Sequence, residues 1–76
     1  MNKQRRKHLK ELHERFTALC DELEEVRDDE QEELESIPEC FEGTERYEES
    51  ETAIESLDEV LDAIRDALDT LEEVAE

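Results

Sequence analysis

The chain has little of what interrupts a helix: one Gly and one Pro in 76 residues. It has no Trp, one Tyr and two Phe, so few large side chains are available for a deep core. Its longest uninterrupted apolar stretch is Ala18-Leu19-Cys20. No segment is therefore expected to span a membrane or to act as the apolar part of a secretion signal. A chain of this length buries only a small core even when well packed. That argues against an enzyme with a deep pocket and leaves no room for a cofactor domain; neither catalysis nor a cofactor is expected.

Positive charge is also scarce. Nine Lys and Arg stand against 27 Asp and Glu, a net charge of −18. Low hydropathy with high net charge is the usual signature of disorder, and self-repulsion works against a compact monomer. The scarcity of Gly and Pro and a strict apolar period point the other way, toward folded helices. Nucleic acid and anionic membrane repel such a chain, so neither is an expected direct partner. Basic surfaces attract it, and many of those are the nucleic-acid-binding faces of other proteins.

The charge is uneven. Residues 1–20 hold Lys3, Arg5, Arg6, Lys7, Lys10 and Arg15 against two acidic side chains, net +4. Residues 21–76 hold three basic and 25 acidic side chains, net −22. The basic start reads either as a patch for nucleic acid or membrane, or as the counterpart of an acidic neighbour in the fold. The second reading fits better, because any such patch lies beside a strongly negative surface.

Cys20 and Cys40 fit no metal spacing, and reduced thiols in a cytosol are expected. His8 and His13 are five apart, about 140° around a helix, and so do not share a face. No Glu-x-x-His pair occurs, which removes the di-iron carboxylate pattern. Asp28-Asp29-Glu30 has the charge of a calcium loop without the Gly that such a loop needs. No metal site is expected, and nothing suggests a nucleophile with its base or a phosphate-binding Gly-rich loop.

The apolar period is the strongest signal. Leu9, Leu12, Phe16, Leu19, Leu23 and Val26 are spaced 3, 4, 3, 4, 3, the seam of a helix sustained over about three heptads. With Asn2 as cap, this predicts a helix over 2–35. Ser36-Ile37-Pro38-Glu39 reads as a capping box that opens one helical turn through Cys40, Phe41 and Glu42, within a connector at 36–43. Gly43 supplies a left-handed residue and Thr44 caps a second helix over 44–75. In that helix Ser50, Ile54, Leu57, Leu61, Ile64, Leu68, Leu71 and Ala75 alternate spacings of 4 and 3, and Ala53, Val60, Ala67 and Val74 add a third apolar position per heptad. Three per heptad is the pattern of a helix that faces more than one neighbour.

Two helices of similar length joined by a short connector predict an all-α antiparallel hairpin, a single unit over residues 1–76. This places the basic start beside Glu72, Glu73 and Glu76, with Ile37, Phe41 and Tyr47 closing the other end. A disulfide between Cys20 and Cys40 is excluded, because about 24 Å of helix separates Cys20 from the connector. An isolated hairpin leaves part of the second helix's apolar face uncovered. A homodimer forming a four-helix bundle is expected to cover it, through Ile54, Leu57, Val60, Leu61, Ile64, Leu68 and Leu71. A partner helix from another protein serves equally.

Along the second helix Asp58, Asp62, Asp66 and Asp69 form a row, flanked by Glu55 and Glu59 and interrupted only by Arg65. Like charges at i, i+4 cost a helix about 0.2–0.5 kcal/mol per pair, and Asp is a poor helix former. A sequence shaped only for stability would mix signs here. The row reads either as a solvated face or as a mimic of a nucleic-acid backbone that binds a basic protein.

The connector and its flanks, Ser36-Ile37-Pro38-Glu39-Cys40-Phe41-Glu42-Gly43-Thr44-Glu45-Arg46-Tyr47-Glu48, follow a Met-Asn-Lys-Gln-Arg-Arg-Lys start and precede an acidic heptad-rich end. This resembles small acidic proteins of phages and prophages of Gram-positive bacteria, in which a Pro-Glu segment and a Ser/Thr-Glu-Arg stretch join two glutamate-rich helices. The likeness covers nearly the whole chain, with the connector as its specific part; Cys40 and Phe41 depart from the more polar connectors of that group. The resemblance implies an accessory or counter-defence protein of a mobile element and carries over no catalytic residue. The expected function is acidic mimicry, by which Glu55, Asp58, Glu59, Asp62, Asp66 and Asp69 block the basic face of a host nucleic-acid-binding protein, as in anti-CRISPR or anti-restriction inhibitors. The alternative is a structural or scaffold coiled-coil module that holds a partner helix through its apolar seam.

Overall fold

The computed structural model of the chain describes residues 1–38 and 43–76. Two helices, α1 (Lys3–Glu35) and α2 (Glu45–Ala75), pack against each other as an antiparallel hairpin with principal extents of 60 × 15 × 12 Å. No strand occurs among the described residues, and no helix among them is long and apolar enough to cross a membrane.

Each helix starts on the cap that its sequence offers. Asn2 Oδ1 accepts the backbone N–H of Arg5 at 2.8 Å, and Thr44 Oγ1 accepts that of Tyr47 at 3.4 Å. These contacts satisfy donors that the first helical turn leaves without partners. Gly43 has φ +83°, a backbone state that side-chain-bearing residues rarely adopt. Ser36 differs from expectation. It sits in the right-handed helical region as the C-cap of α1, its N–H donating to the Glu32 and Glu33 carbonyls and its hydroxyl to Glu32 at 2.9 Å. Its helical backbone angles are those of a C-cap, not the extended ones of an N-cap, and the Glu39 of the expected capping box lies outside the described residues. The turn expected through Cys40, Phe41 and Glu42 lies outside the described residues.

On α2 the expected seam is the observed one. Ile54, Leu61 and Ala75 are buried, and Ser50, Leu57, Ile64, Leu68 and Leu71 are half-buried. On α1 the seam is rotated from the expected line. Cys20 and Leu34 are the buried residues, and Leu9, Leu12, His13, Leu23, Glu24, Arg27, Glu30, Gln31 and Ile37 are half-buried around them. Phe16, Leu19 and Val26, expected in the seam, are 50%, 58% and 57% exposed. The physical reason is that α1 carries an apolar arc wider than one helix can cover. The hairpin uses the edge that contains Cys20, and polar residues fill the remaining seam positions. Arg27 reaches across to Asp58, and Ser50 Oγ donates to Glu30 Oε1 at 2.6 Å.

The helix termini carry charge in an unusual order. The first turn of α1 has no acidic residue and the last turn no basic one; Lys3, Arg5 and Arg6 stand at its start and Glu32, Glu33 and Glu35 at its end. The helix dipole favours the reverse at both ends.

The buried set is small, so each member matters. Leu61→Ala, at a position 3% exposed, is expected to remove about 2–5 kcal/mol by lost transfer energy and cavity formation. Urea unfolding followed by circular dichroism measures this, with the exposed Glu59→Ala as a near-neutral control. The same assay should show helicity and stability rising with added salt, as self-repulsion among the carboxylates is screened.

Candidate functional site

The hairpin presents two faces of opposite character. On one, Glu55, Asp58, Glu59, Asp62, Asp66 and Asp69 are all exposed along α2. The seam bounds this row, and two cross-helix ion pairs stitch it there. Arg27 Nε donates to Asp58 Oδ1 at 2.8 Å and Nη2 to Asp58 Oδ2 at 3.5 Å. Arg65 Nη2 donates to Glu24 Oε2 at 3.0 Å. Asp58 raises the pKa of the Arg27 guanidinium, chiefly through the hydrogen bond; loss of hydration opposes this, and the charge of Asp58 and the contact with Asp28 add to the rise. Asp58 is thus partly neutralised from α1, a contact that residue spacing within α2 does not reveal. The other five carboxylates form no ion pair with the described residues.

The other face is apolar and open. Phe16, Leu19 and Val26 of α1 stand on the same side of the hairpin as Val60 and Val74 of α2, which are 45% and 48% exposed. An open groove of about 180 Å³ runs between the helices there, lined only by Phe16, Ile64, Ala67, Leu68 and Leu71. A shallower one of about 100 Å³ follows α1 along Leu12, Arg15, Phe16 and Leu19. A contiguous apolar strip rimmed by charge marks an interaction surface. Of the residues expected to join a second copy, Ile54 and Leu61 are consumed inside the hairpin; Leu57, Ile64, Leu68 and Leu71 are shared between the seam and this face, and Val60 is outside the seam. Leu12, Leu19 and Val26 are the members that periodicity assigned to the hairpin seam instead.

The basic start does not find the acidic neighbour expected of it. Lys10 and His13 border a depression with Glu72, Ala75 and Glu76, but none of Lys3, Arg5, Arg6, Lys7, Lys10 and Arg15 forms an ion pair with the described residues. The register explains this: α2 ends opposite the turn that holds Lys10, so residues 3–8 reach past it and are exposed.

No three His, Cys, Asp or Glu side chains among the described residues are grouped to hold a metal ion, and Asp28, of the acidic trio, is in contact with Arg27 at 3.3 Å. Cys20 is a free, buried thiol. Beside the connector an open depression of about 360 Å³ is lined, among the described residues, by Glu33, Ser36, Ile37, Pro38, Thr44, Arg46, Tyr47 and Ser50.

No family model, curated protein or solved structure matches the chain.

The two cross-helix arginines should behave as screened clamps. Arg27→Ala and Arg65→Ala are each expected to lower the melting temperature by less than Leu61→Ala does, with a deficit that shrinks as salt rises. Thermal melts at low and at about 0.5 M salt read this directly.

Proposed function

We propose that the chain is a non-catalytic binding module whose acidic surface occupies the basic, nucleic-acid-binding face of another protein and blocks it. Its concrete form is an anti-CRISPR or anti-restriction inhibitor of a phage or other mobile element, acting in the cytoplasm of a bacterial host. One observation carries the reading. Residues 21–60, the connector half of the hairpin, hold 19 acidic and two basic side chains, net −17. That half occupies about 30 Å of the 60 Å long axis, so one net charge falls every ~1.8 Å, against about 1.7 Å for duplex DNA. Asp62, Asp66 and Asp69 continue the charge along α2 past the midpoint. The carboxylates of α1 and α2 project from helices, so their spacing is fixed before a partner arrives and little ordering is left for binding to drive.

A second reading is favoured by a separate observation, the half-exposed Phe16, Leu19 and Val26. In it the chain is a structural or scaffold module that holds a helix of another protein on its apolar face.

Salt separates the two, because electrostatic association weakens steeply with ionic strength and apolar association does not. The test measures displacement of a labelled DNA duplex from purified CRISPR effectors and restriction enzymes. The chain should displace DNA at low salt and lose most of that effect at about 0.5 M. A variant with Glu55, Glu59, Asp62 and Asp66 all changed to Lys leaves the Arg27–Asp58 pair intact; it should keep its helicity and fail to displace. Displacement undiminished in that variant sinks the mimicry reading. Partner binding that persists at high salt and is lost on Leu19→Asp establishes the second.

A further inference from the structure

We propose that the open apolar face is closed by a second copy of this chain, laid face to face with its helices running in the opposite sense. α1 then lies on α1 of the copy and α2 on α2, and the two connectors sit at opposite ends of a four-helix bundle. The inference is independent of the acidic-mimic reading.

The first argument is positional. On the outer flank of α1 one seven-residue row reads Arg5, Leu12, Leu19, Val26, Glu33. Three apolar residues are bracketed by a cation at one end and an anion at the other. An isologous contact requires that residue i meet residue j while j meets i. Turning the face onto a copy about Leu19 sets Leu12 against Val26 and Arg5 against Glu33, each pairing made twice. On α2 the same operation pairs Leu57 with Val74, Val60 with Leu71 and Ile64 with Ala67. The two midpoints coincide: the register fixed by Arg27–Asp58 and by Phe16 beside Leu68 places Leu19 opposite the middle of Ile64–Ala67. Heptad spacing alone is symmetric in this way. The informative part is that the run stops at both ends on charges of opposite sign.

The second argument is electrostatic. Residues 21–60 are net −17, while residues 1–20 and 61–76 together hold seven basic and eight acidic side chains, net −1. A copy running in the same sense would set the two −17 halves side by side. The opposite sense carries them to the two ends. It also lays Lys3, Arg5, Arg6, Lys7 and Lys10, which form no ion pair within the described chain, along Asp28, Asp29, Glu30, Glu32, Glu33 and Glu35 of the second copy. The order of charge along α1, which runs against its own dipole, complements an α1 lying antiparallel to it. Within its own chain Glu33 has only a long contact, 3.9 Å, to the exposed Arg46.

The third argument is area. Leu19 is the middle residue of α1, so the opposed arrangement overlaps α1 over its full length and α2 over residues 56–75, about 50 Å and 30 Å of helix. Across a width of 15 Å this covers about 600 Å² per protomer, or about 1,200 Å² in total, the lower end of the range for a specific stable interface.

Sedimentation equilibrium on the full chain tests the stoichiometry, and a charge-exchange cycle tests the orientation. The expected mass at micromolar concentration is twice 9.0 kDa. A helical monomer of 9.0 kDa, its face left for another protein, or any higher oligomer overturns the proposal. Arg5→Glu and Glu33→Arg should each raise the dimer dissociation constant, by roughly tenfold since each change reverses two equivalent contacts. The double variant should recover most of that loss. The two residues are about 42 Å apart along one helix, so recovery can pass only between copies, and the cycle subtracts the separate effect of Glu33→Arg on Arg46. Losses that simply add in the double variant overturn the opposed arrangement. The surface charges leave the hairpin core untouched, which keeps the test clear of misfolding.

Discussion

Twenty-seven carboxylates on a 76-residue chain repel one another in every compact state, and the strip of apolar contact along the hairpin is what opposes them. That strip is narrow. Its buried members are Cys20 and Leu34 from one helix and Ile54, Leu61 and Ala75 from the other. Two of the five are small, and no large side chain among the described residues is fully enclosed. The fold therefore relies on length: contact is repeated over many turns of two straight helices, each turn adding little, instead of being concentrated in one globular core.

The same constraint explains where polar groups enter the seam. Arg27 and Glu30 take positions that a purely apolar seam would give to Leu, and each is answered from α2, by Asp58 and Ser50. A buried leucine at 27 would hold the helices together equally well in several registers one heptad apart. An arginine that finds its carboxylate in only one of them removes that freedom. Polar groups at a seam fix register and alignment, at a cost in apolar contact.

This is also what the sequence concealed. α2 was readable throughout because each of its seam positions is apolar or small, so periodicity and contact coincide. α1 was readable as a helix, with its cap at Asn2, but not in its orientation. Apolar periodicity joins Leu19 and Val26 into the seam and passes over His13, Arg27 and Glu30, whose place depends on partners about 20 to 60 residues away. The row from Asp58 to Asp69 was legible as an exposed face, since nothing apolar interrupts it; the clamp on Asp58 was not, since Arg27 belongs to the other helix. Ser36-Ile37-Pro38-Glu39 shows a further limit. Its spacing satisfies a helix start, but Ser36 keeps the helical backbone angles of the helix before it, which an N-cap does not have.

Cys20 sits at the middle of α1, a residue 5% exposed in the seam between the two helices. A thiol reagent cannot reach that sulfur while they are together. Its rate of alkylation thus becomes a clock for separation of the helices at mid-length, one that frayed ends do not advance. The chain carries within its own sequence a reporter of how often the hairpin opens.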